Sequence, residues 1–238
     1  MKKIESIPQK LLLIIPCYNE TNSIGALLQE IHELKAGYDI VVIDDGSKDN
    51  TFDVASQFSP CLKLKGNLGI GGAVQTGIKF ALAKGYDLCI RVDGDGQHPP
   101  DQIQVLIGSY LESSVNLIIG SRFHVSSAFQ STWTRRLGIK VIRSAFKWLF
   151  GCEITDPTSG FMLMDKEAIK LFSSEYPQDY PESISTAIAL ERGLSVREVP
   201  VKMRARTHGS SSIGRMKPLF YMLRVVGYLI LIRMGRHL

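Results

Sequence analysis

The sequence lacks any apolar run long enough to cross a bilayer. Residues 219–232 are apolar except for Arg224, a stretch of 14 residues, whereas a spanning helix needs about 20. A secretory leader is also missing: residues 1–10 are mixed, and "LLLIIPCY" (11–18) is too short to serve as one. Cysteine is scarce. Cys17, Cys61, Cys89 and Cys152 are scattered with no C-x-x-C pair, so we expect reduced, mostly buried thiols and a cytoplasmic protein. Neither G-x-G-x-x-G nor G-x-x-x-x-G-K-[ST] occurs, which disfavours a dinucleotide oxidoreductase and a P-loop enzyme. Acidic residues are absent from two windows. Residues 113–152 hold Arg122, Arg135, Arg136, Lys140, Arg143 and Lys147, and residues 199–238 hold eight Lys and Arg, with no Asp or Glu in either. Such basic surfaces suit anionic phosphates or anionic lipid rather than two merely solvated faces.

What is present is an ordinary globular composition: 45% hydrophobic and 21% charged residues in 238, ample for one domain with an appendage. The first hundred residues alternate short apolar runs with helical patterns. Strands are expected over 11–18, 38–47, 61–66 and 86–96, and helices over 23–34, 50–59 and 69–85. Farther along we expect a helix over 101–112, a strand over 116–123 and a basic helix over 133–151. A polar turn over 155–165, helices near 166–173 and 181–193, and a strand near 196–203 follow. Regular alternation implies an α/β fold with a mostly parallel sheet and helices on both faces. Ligands then gather at the carboxyl ends of the strands. Asn19-Glu20, Asp44-Asp45, Asn67 and Asp93/Asp95 all fall there.

The most telling stretch is "RVDGDGQHPP" (91–100). Two carboxylates one residue apart at a strand end form a platform for a hard divalent cation, magnesium or manganese, with Gln97 able to add a carbonyl oxygen. D-G-D-G also suits an exposed turn, and His98 reads as a bystander before Pro99-Pro100. Asp44-Asp45-Gly46-Ser47 ends another strand. A carboxylate there can accept from a ribose or a base N–H, while Ser47, Asp49 and Asn50 can cap the next helix. Glycines in "GNLGIGGAVQTG" (66–77) would let backbone N–H groups approach phosphate, or simply allow close packing. The tail over 219–232 fits either a core helix or an interfacial one whose arginines snorkel, and its flanking basic residues favour the interface.

Taken in order, "IIPCYNE" (14–20), "DDGSKDNT" (44–51), "GNLGIGGAVQTGIKFA" (66–81), "VDGDGQHPP" (92–100), "GSRF" (120–123), "TDPTSGF" (155–161) and "RTHGSSSI" (206–213) resemble the motif set of family 2 inverting glycosyltransferases. The branch they are most similar to is that of the polyprenyl-phosphate sugar synthases, which includes dolichol-phosphate mannosyltransferase. The resemblance covers residues 11–213. It implies a GT-A-type glycosyltransferase domain over 1–213 and an amphipathic, interfacial helix over 214–238. It implies a nucleotide-sugar donor, uridine- or guanosine-linked, bound by Pro16, Tyr18, Asn19, Glu20, Asp44, Asp45, Asn67, Gly69 and Asp93. Asp93, Asp95 and Gln97 match its magnesium or manganese ligands. Arg122, Arg136 and Arg206 match positions that hold an acceptor phosphate, and Glu182 matches a carboxylate beside the acceptor, so Asp93, Asp95 and Glu182 form the expected catalytic set. The pattern departs at Ile139, where the family has serine, and long C-terminal anchors are missing.

The implied partners are a nucleotide sugar and a polyprenyl phosphate, undecaprenyl or dolichyl, with no nucleic acid. Peripheral attachment at the inner face of the membrane goes with them, with room for a small membrane-protein partner. A lipid phosphate is already an anion and needs no strong base. A glycan hydroxyl acceptor, the rival reading, would need one, with Glu182 first and Asp156 second; for Asp156 a turn role in "TDPTSG" is the simpler reading. A phosphatase built on Asp93 fits poorly, because its motif strand would come first in the chain. A binder without turnover is disfavoured by the intact carboxylates.

Overall fold

The computed structural model describes residues 10–123, 133–204 and 218–235, the side chains of 133–136 and 218–220 excepted. Seven strands form one sheet: β1 (Leu11–Cys17), β2 (Asp39–Asp44), β3 (Cys61–Lys63), β4 (Leu88–Arg91), β5 (Leu117–Ser121), β6 (Met162–Asp165) and β7 (Val196–Pro200), in the order β3-β2-β1-β4-β6-β5-β7. All pairings are parallel except those of β6, which runs antiparallel to both β4 and β5.

The helices are α1 (Ile24–Glu33), α2 (Thr51–Ser56), α3 (Gly69–Ala83), α4 (Ile103–Ser113), α5 (Trp133–Phe150), α6 (Lys166–Ser174), α7 (Pro181–Glu191) and α8 (Pro218–Arg233). The period-two alternation of a strand divides the core. Leu11, Leu13 and Ile15 of β1 point into a cluster with Leu27, Leu28 and Ile31 of α1 and Leu106 and Ile107 of α4. Leu12 and Ile14 point the other way, onto Val74 and Ile78 of α3 and Ile169 and Phe172 of α6. Strands buried on both faces carry near-continuous aliphatic runs, as "LLLII" and "DIVVI" do. A third cluster joins Ile142 and Phe146 of α5, Ile184 and Ala187 of α7, and Tyr221, Val225 and Leu229 of α8.

The polar turn expected over 155–165 ends early, because Met162–Asp165 forms β6 near the middle of the sheet. Four residues without β-branching carry little strand signal; the flanking strands β4 and β5 supply the hydrogen-bonding partners that sequence pattern alone does not reveal. The expected tail helix is α8. Its inner side is committed to α5 and α7, and residues 214–217 of that segment lie outside the described residues. Among the described residues no helix is long and apolar enough to cross a membrane.

The antiparallel insertion matters for position. It brings the start of β6, and the loop before it, to the edge where β1, β2, β4 and β5 end. Helix α3 is fixed beside that edge by close contact. A Cβ on Gly71 would lie 2.3 Å from the Pro177 carbonyl oxygen and 2.6 Å from Gln178 Cα. Backbone cannot yield as a side chain can, so Gly71→Ala is expected to destabilise the fold by about 1–3 kcal/mol, measured by urea unfolding against wild type.

Candidate active site

The strand ends build the site in three parts. On the first, β1 runs into Tyr18 and Asn19. Both are exposed, and Asn19 takes the left-handed conformation (φ 56°) that asparagine tolerates. That turn is locked to the end of β2: the Asn19 N–H donates to Ser47 Oγ (2.9 Å) and the Lys48 N–H donates to Asn19 Oδ1 (2.9 Å). The Glu20 N–H donates to Thr51 Oγ1 (2.8 Å). The Ser23 hydroxyl stands within hydrogen-bond distance of Glu20 Oε2 (2.8 Å) and the Gly94 carbonyl (2.9 Å), tying the start of α1 to the aspartate hinge. Pro16 is buried within β1.

The two aspartates ending β2 have different tasks. Asp44 is fully enclosed and accepts the Ser47 N–H (3.0 Å), which closes the turn. Asp45 accepts the N–H groups of Leu68 (2.7 Å) and Gly69 (2.9 Å) at the start of α3. Burial raises its carboxyl above the ordinary range, against the pull of those two donors. Two of the N–H groups at this glycine-opened helix start are therefore already engaged by Asp45. Asn67 is exposed beside them and its Oδ1 also accepts from Gly69 (3.0 Å).

The central part is the tip of β4. Asp93 is partly buried and Asp95 is 6% exposed. Asp95 Oδ1 accepts the Gln97 N–H (3.0 Å), while the Gln97 carbonyl accepts from Arg204 N–H (3.0 Å). The donor set here is hard oxygen, with no thiolate. Among the described residues no group of three or more His, Cys, Asp or Glu side chains could hold a metal alone. That pattern fits magnesium or manganese, which commonly take one or two carboxylates and complete their shell with water and substrate phosphate. Asp93, Asp95 and Gln97 are the residues that would hold it.

Two neighbours of this tip carry more than the sequence suggested. His98, read as a bystander, is 4% exposed, stacks on Phe161 with ring centroids 4.8 Å apart, and accepts the Asp93 N–H on Nδ1 (3.0 Å). Nδ1 is thus the unprotonated nitrogen, and burial lowers the proton affinity of the ring. Arg91 is 2% exposed; its Nε donates to Asp93 Oδ1 (2.8 Å) and its Nη2 to Glu182 Oε1 (2.8 Å). Burial opposes its charge, yet Asp93 and Glu182 hold its pKa well above the ordinary value. A usable signal existed: a lone charge inside a buried strand, two residues before Asp93 and so on the same face.

The third part lies at the end of β5. Arg122 is clamped by Asp156: Nε to Oδ2 (2.6 Å), Nη2 to Oδ1 (2.6 Å), and its own N–H to Oδ2 (3.1 Å). Nη2 also donates to Thr158 Oγ1 (2.7 Å). Asp156 is fully buried, and Glu198 accepts the N–H groups of Thr155 (2.5 Å) and Asp156 (2.7 Å). The turn role for Asp156 thus includes fixing an arginine. Glu182 begins α7 on the far side of Arg91. Arg136 falls in the first turns of α5 with its side chain undescribed, and Arg206 lies outside the described residues.

The model of the family described as glycosyl transferase family 2 matches residues 12–172. The chain belongs to that family. Among related proteins, the UDP-N-acetylglucosamine–dolichyl-phosphate N-acetylglucosaminyltransferase of Methanococcus voltae is 29% identical over 246 residues, covering 94% of this chain and 96% of its own. The polyprenol monophosphomannose synthase of Mycolicibacterium smegmatis is 28% identical over 217 residues, covering 87% and 82%. The glucosyl-3-phosphoglycerate synthase of Mycobacterium tuberculosis, crystallised with Mn2+, uridine diphosphate and glucosyl-3-phosphoglycerate, superposes with a TM-score of 0.72 at 20% identity, over 96% of this chain and 81% of that one. The family 2 fold is thus GT-A, and the strand-end edge described here is where its pieces converge.

Removing Asp156 strands a mostly buried guanidinium. Asp156→Ala is expected to lower stability by about 3–5 kcal/mol, read from denaturant midpoints, whereas a purely catalytic carboxylate would leave the midpoint unchanged.

Proposed function

We propose that this glycosyltransferase moves a sugar from a nucleoside diphosphate to a polyprenyl phosphate, inverting the anomeric carbon, while seated peripherally on a membrane surface. The observation that carries the reading is the carboxylate pair Asp93 and Asp95 at the tip of β4. It lies on the same sheet edge as the exposed Tyr18–Asn19 turn and the clamped guanidinium of Arg122. The dolichyl-phosphate and polyprenol activities named for the relatives support the acceptor class.

The residues divide the work as follows. Tyr18, Asn19 and Asn67 are exposed on the donor side and would receive the nucleoside. Asp45 holds the start of α3 in place beneath it. Magnesium or manganese on Asp93 and Asp95, when bound, neutralises charge developing on the departing diphosphate. The acceptor phosphate oxygen forms a bond to the anomeric carbon as the bond to the diphosphate breaks, and the electron pair leaves with the diphosphate. No proton has to be removed from a phosphate anion. The requirement is instead to bring two anions together, and Arg122, held rigid by Asp156 and Thr158, offers a fixed cation for that.

The membrane side of the reading rests on α5 and α8, which pack side by side so closely that a Cβ on Gly138 would meet Met222 Sδ at 2.7 Å. Each exposes an apolar stripe. Leu137 (43%), Val141 (42%) and Trp148 (84%) are exposed along one stripe of α5; Leu223 (65%), Ile230 (39%) and, just past the helix end, Met234 (63%) line one stripe of α8. Lys140, Arg143 and Lys147, the last paired with Glu153 (2.5 Å), line the adjoining stripe of α5, around a cavity of about 360 Å³. Neither helix has an acidic residue. Exposed apolar stripes bordered by basic ones suit the interface of an anionic bilayer.

Asp95→Ala is expected to reduce transfer from a radiolabelled nucleotide sugar to undecaprenyl phosphate by at least about 100-fold with an unchanged circular dichroism spectrum. Turnover near the wild-type rate sinks the assignment, as does wild-type transfer to an oligosaccharide hydroxyl but not to the lipid phosphate. Trp148→Glu combined with Leu223→Glu is expected to cut turnover about ten-fold or more on acceptor embedded in anionic vesicles. The rate on a short-chain, water-soluble prenyl phosphate should stay unchanged, and equal loss on both acceptors refutes docking through these helices.

A further inference from the structure

Arg91 is a costly residue to keep. It is a cation on a strand of an otherwise apolar core, 2% exposed, and its Nη1 is buried without a hydrogen-bond partner among the described residues. Leaving a buried donor unpaired works against stability. Space for the group is cleared by Gly160, where a Cβ would lie 2.6 Å from Nη2. Strand β6 and the loop before it are thus shaped around this guanidinium. Its two engaged nitrogens, Nε and Nη2, lie on adjacent corners of one rigid plane, and each reaches a different carboxylate: Asp93 at the metal position and Glu182 at the start of α7. The buried Tyr176 hydroxyl also interacts with this guanidinium; burial pushes it to about 12, so it is neutral.

We propose that Arg91 is a positioning residue that couples the donor and acceptor sides of the site, holding Asp93 and Glu182 in fixed register through one buried guanidinium and moderating how tightly Asp93 holds the divalent cation. The inference rests on the transfer reading above and deepens it. The charges balance in pairs: a divalent cation against Asp93 and Asp95, and Arg91 against Glu182. Without the metal, Arg91 lends its charge to Asp93 as well. A unit positive charge one hydrogen bond from a metal ligand repels the incoming cation, so removing that charge strengthens metal binding even as it loosens the geometry.

The test pairs calorimetric titration of Mn2+, in saturating uridine diphosphate against a protein-free blank, with steady-state kinetics on wild type, Arg91→Met and Arg91→Lys. Arg91→Met is expected to bind Mn2+ about three-fold or more tighter while kcat falls about 10- to 100-fold and the donor KM stays within about two-fold. Arg91→Lys keeps the charge but cannot span both carboxylates. Its Mn2+ affinity should match wild type while kcat stays about ten-fold or more down. Arg91→Met binding Mn2+ no tighter than wild type overturns the proposal, and so does Arg91→Lys turning over at the wild-type rate. Should the methionine variant not fold, the lysine variant decides. Wild type that binds Mn2+ with neither uridine diphosphate nor guanosine diphosphate instead defeats the transfer reading itself, which keeps the two failures distinguishable.

Discussion

One buried cation organises the centre of this molecule. Arg91 sits where strand β4 leaves the sheet, and its two hydrogen-bonded nitrogens reach two carboxylates, one of them 91 residues away in sequence. Elements around it have little freedom to differ. Glycine is required at 160, α7 must begin where Glu182 can reach inward, and the aspartate hinge must keep Asp93 facing back. The hinge is held from two more directions, by the His98 ring on the Asp93 N–H and by Ser23 on the Gly94 carbonyl. Such mutual restraint is what a site needs when reacting groups must be aligned before the substrate arrives.

Much of this was legible from residue order. The alternation of aliphatic runs with helical patterns indicates an α/β sheet, and each of β1, β2 and β4 ends at a polar cluster. The placement of Asp93 and Asp95 at a strand tip follows from the switch between an apolar run and a glycine-rich turn. What stayed hidden depends on contacts across long separations. Strand β6 has no period-two signature in "MLMD", and only its neighbours in space make it a strand. His98 looks like turn chemistry until Phe161, 63 residues on, stacks against it. Asp156 looks like a turn residue until Arg122 is seen to fold onto it. Asp44 and Asp45 are adjacent, yet one is sealed inside a turn and the other holds a helix start. Pairing of this kind is invisible to local pattern, because a side chain's partner is chosen by topology rather than by spacing.

The layer formed by α5, α7 and α8 has a second role besides its outward surface. Tyr180 precedes α7 in the left-handed conformation (φ 50°), and its ring packs on Tyr221 (4.9 Å between centroids) and near Tyr228 (6.2 Å) of α8. Glu182 follows two residues later. Glu182 is therefore anchored to the helix that carries the exposed apolar stripe. A displacement of α8 would be felt at the base of α7 through packed rings, which yield little.

The reversed direction of β6 has a consequence for how the chain is made. Strands β1 to β4 emerge first and satisfy one another, but the outer edge of β4 finds its partner only at Met162–Asp165. While the intervening 70 residues are being synthesised, the open edge of β4 presents unmated backbone groups to the surroundings. The nascent half-sheet is thus adhesive for as long as the ribosome takes to reach β6. At about 5–20 residues per second that window lasts several seconds, long enough for a chaperone, or a neighbouring nascent chain, to find it first.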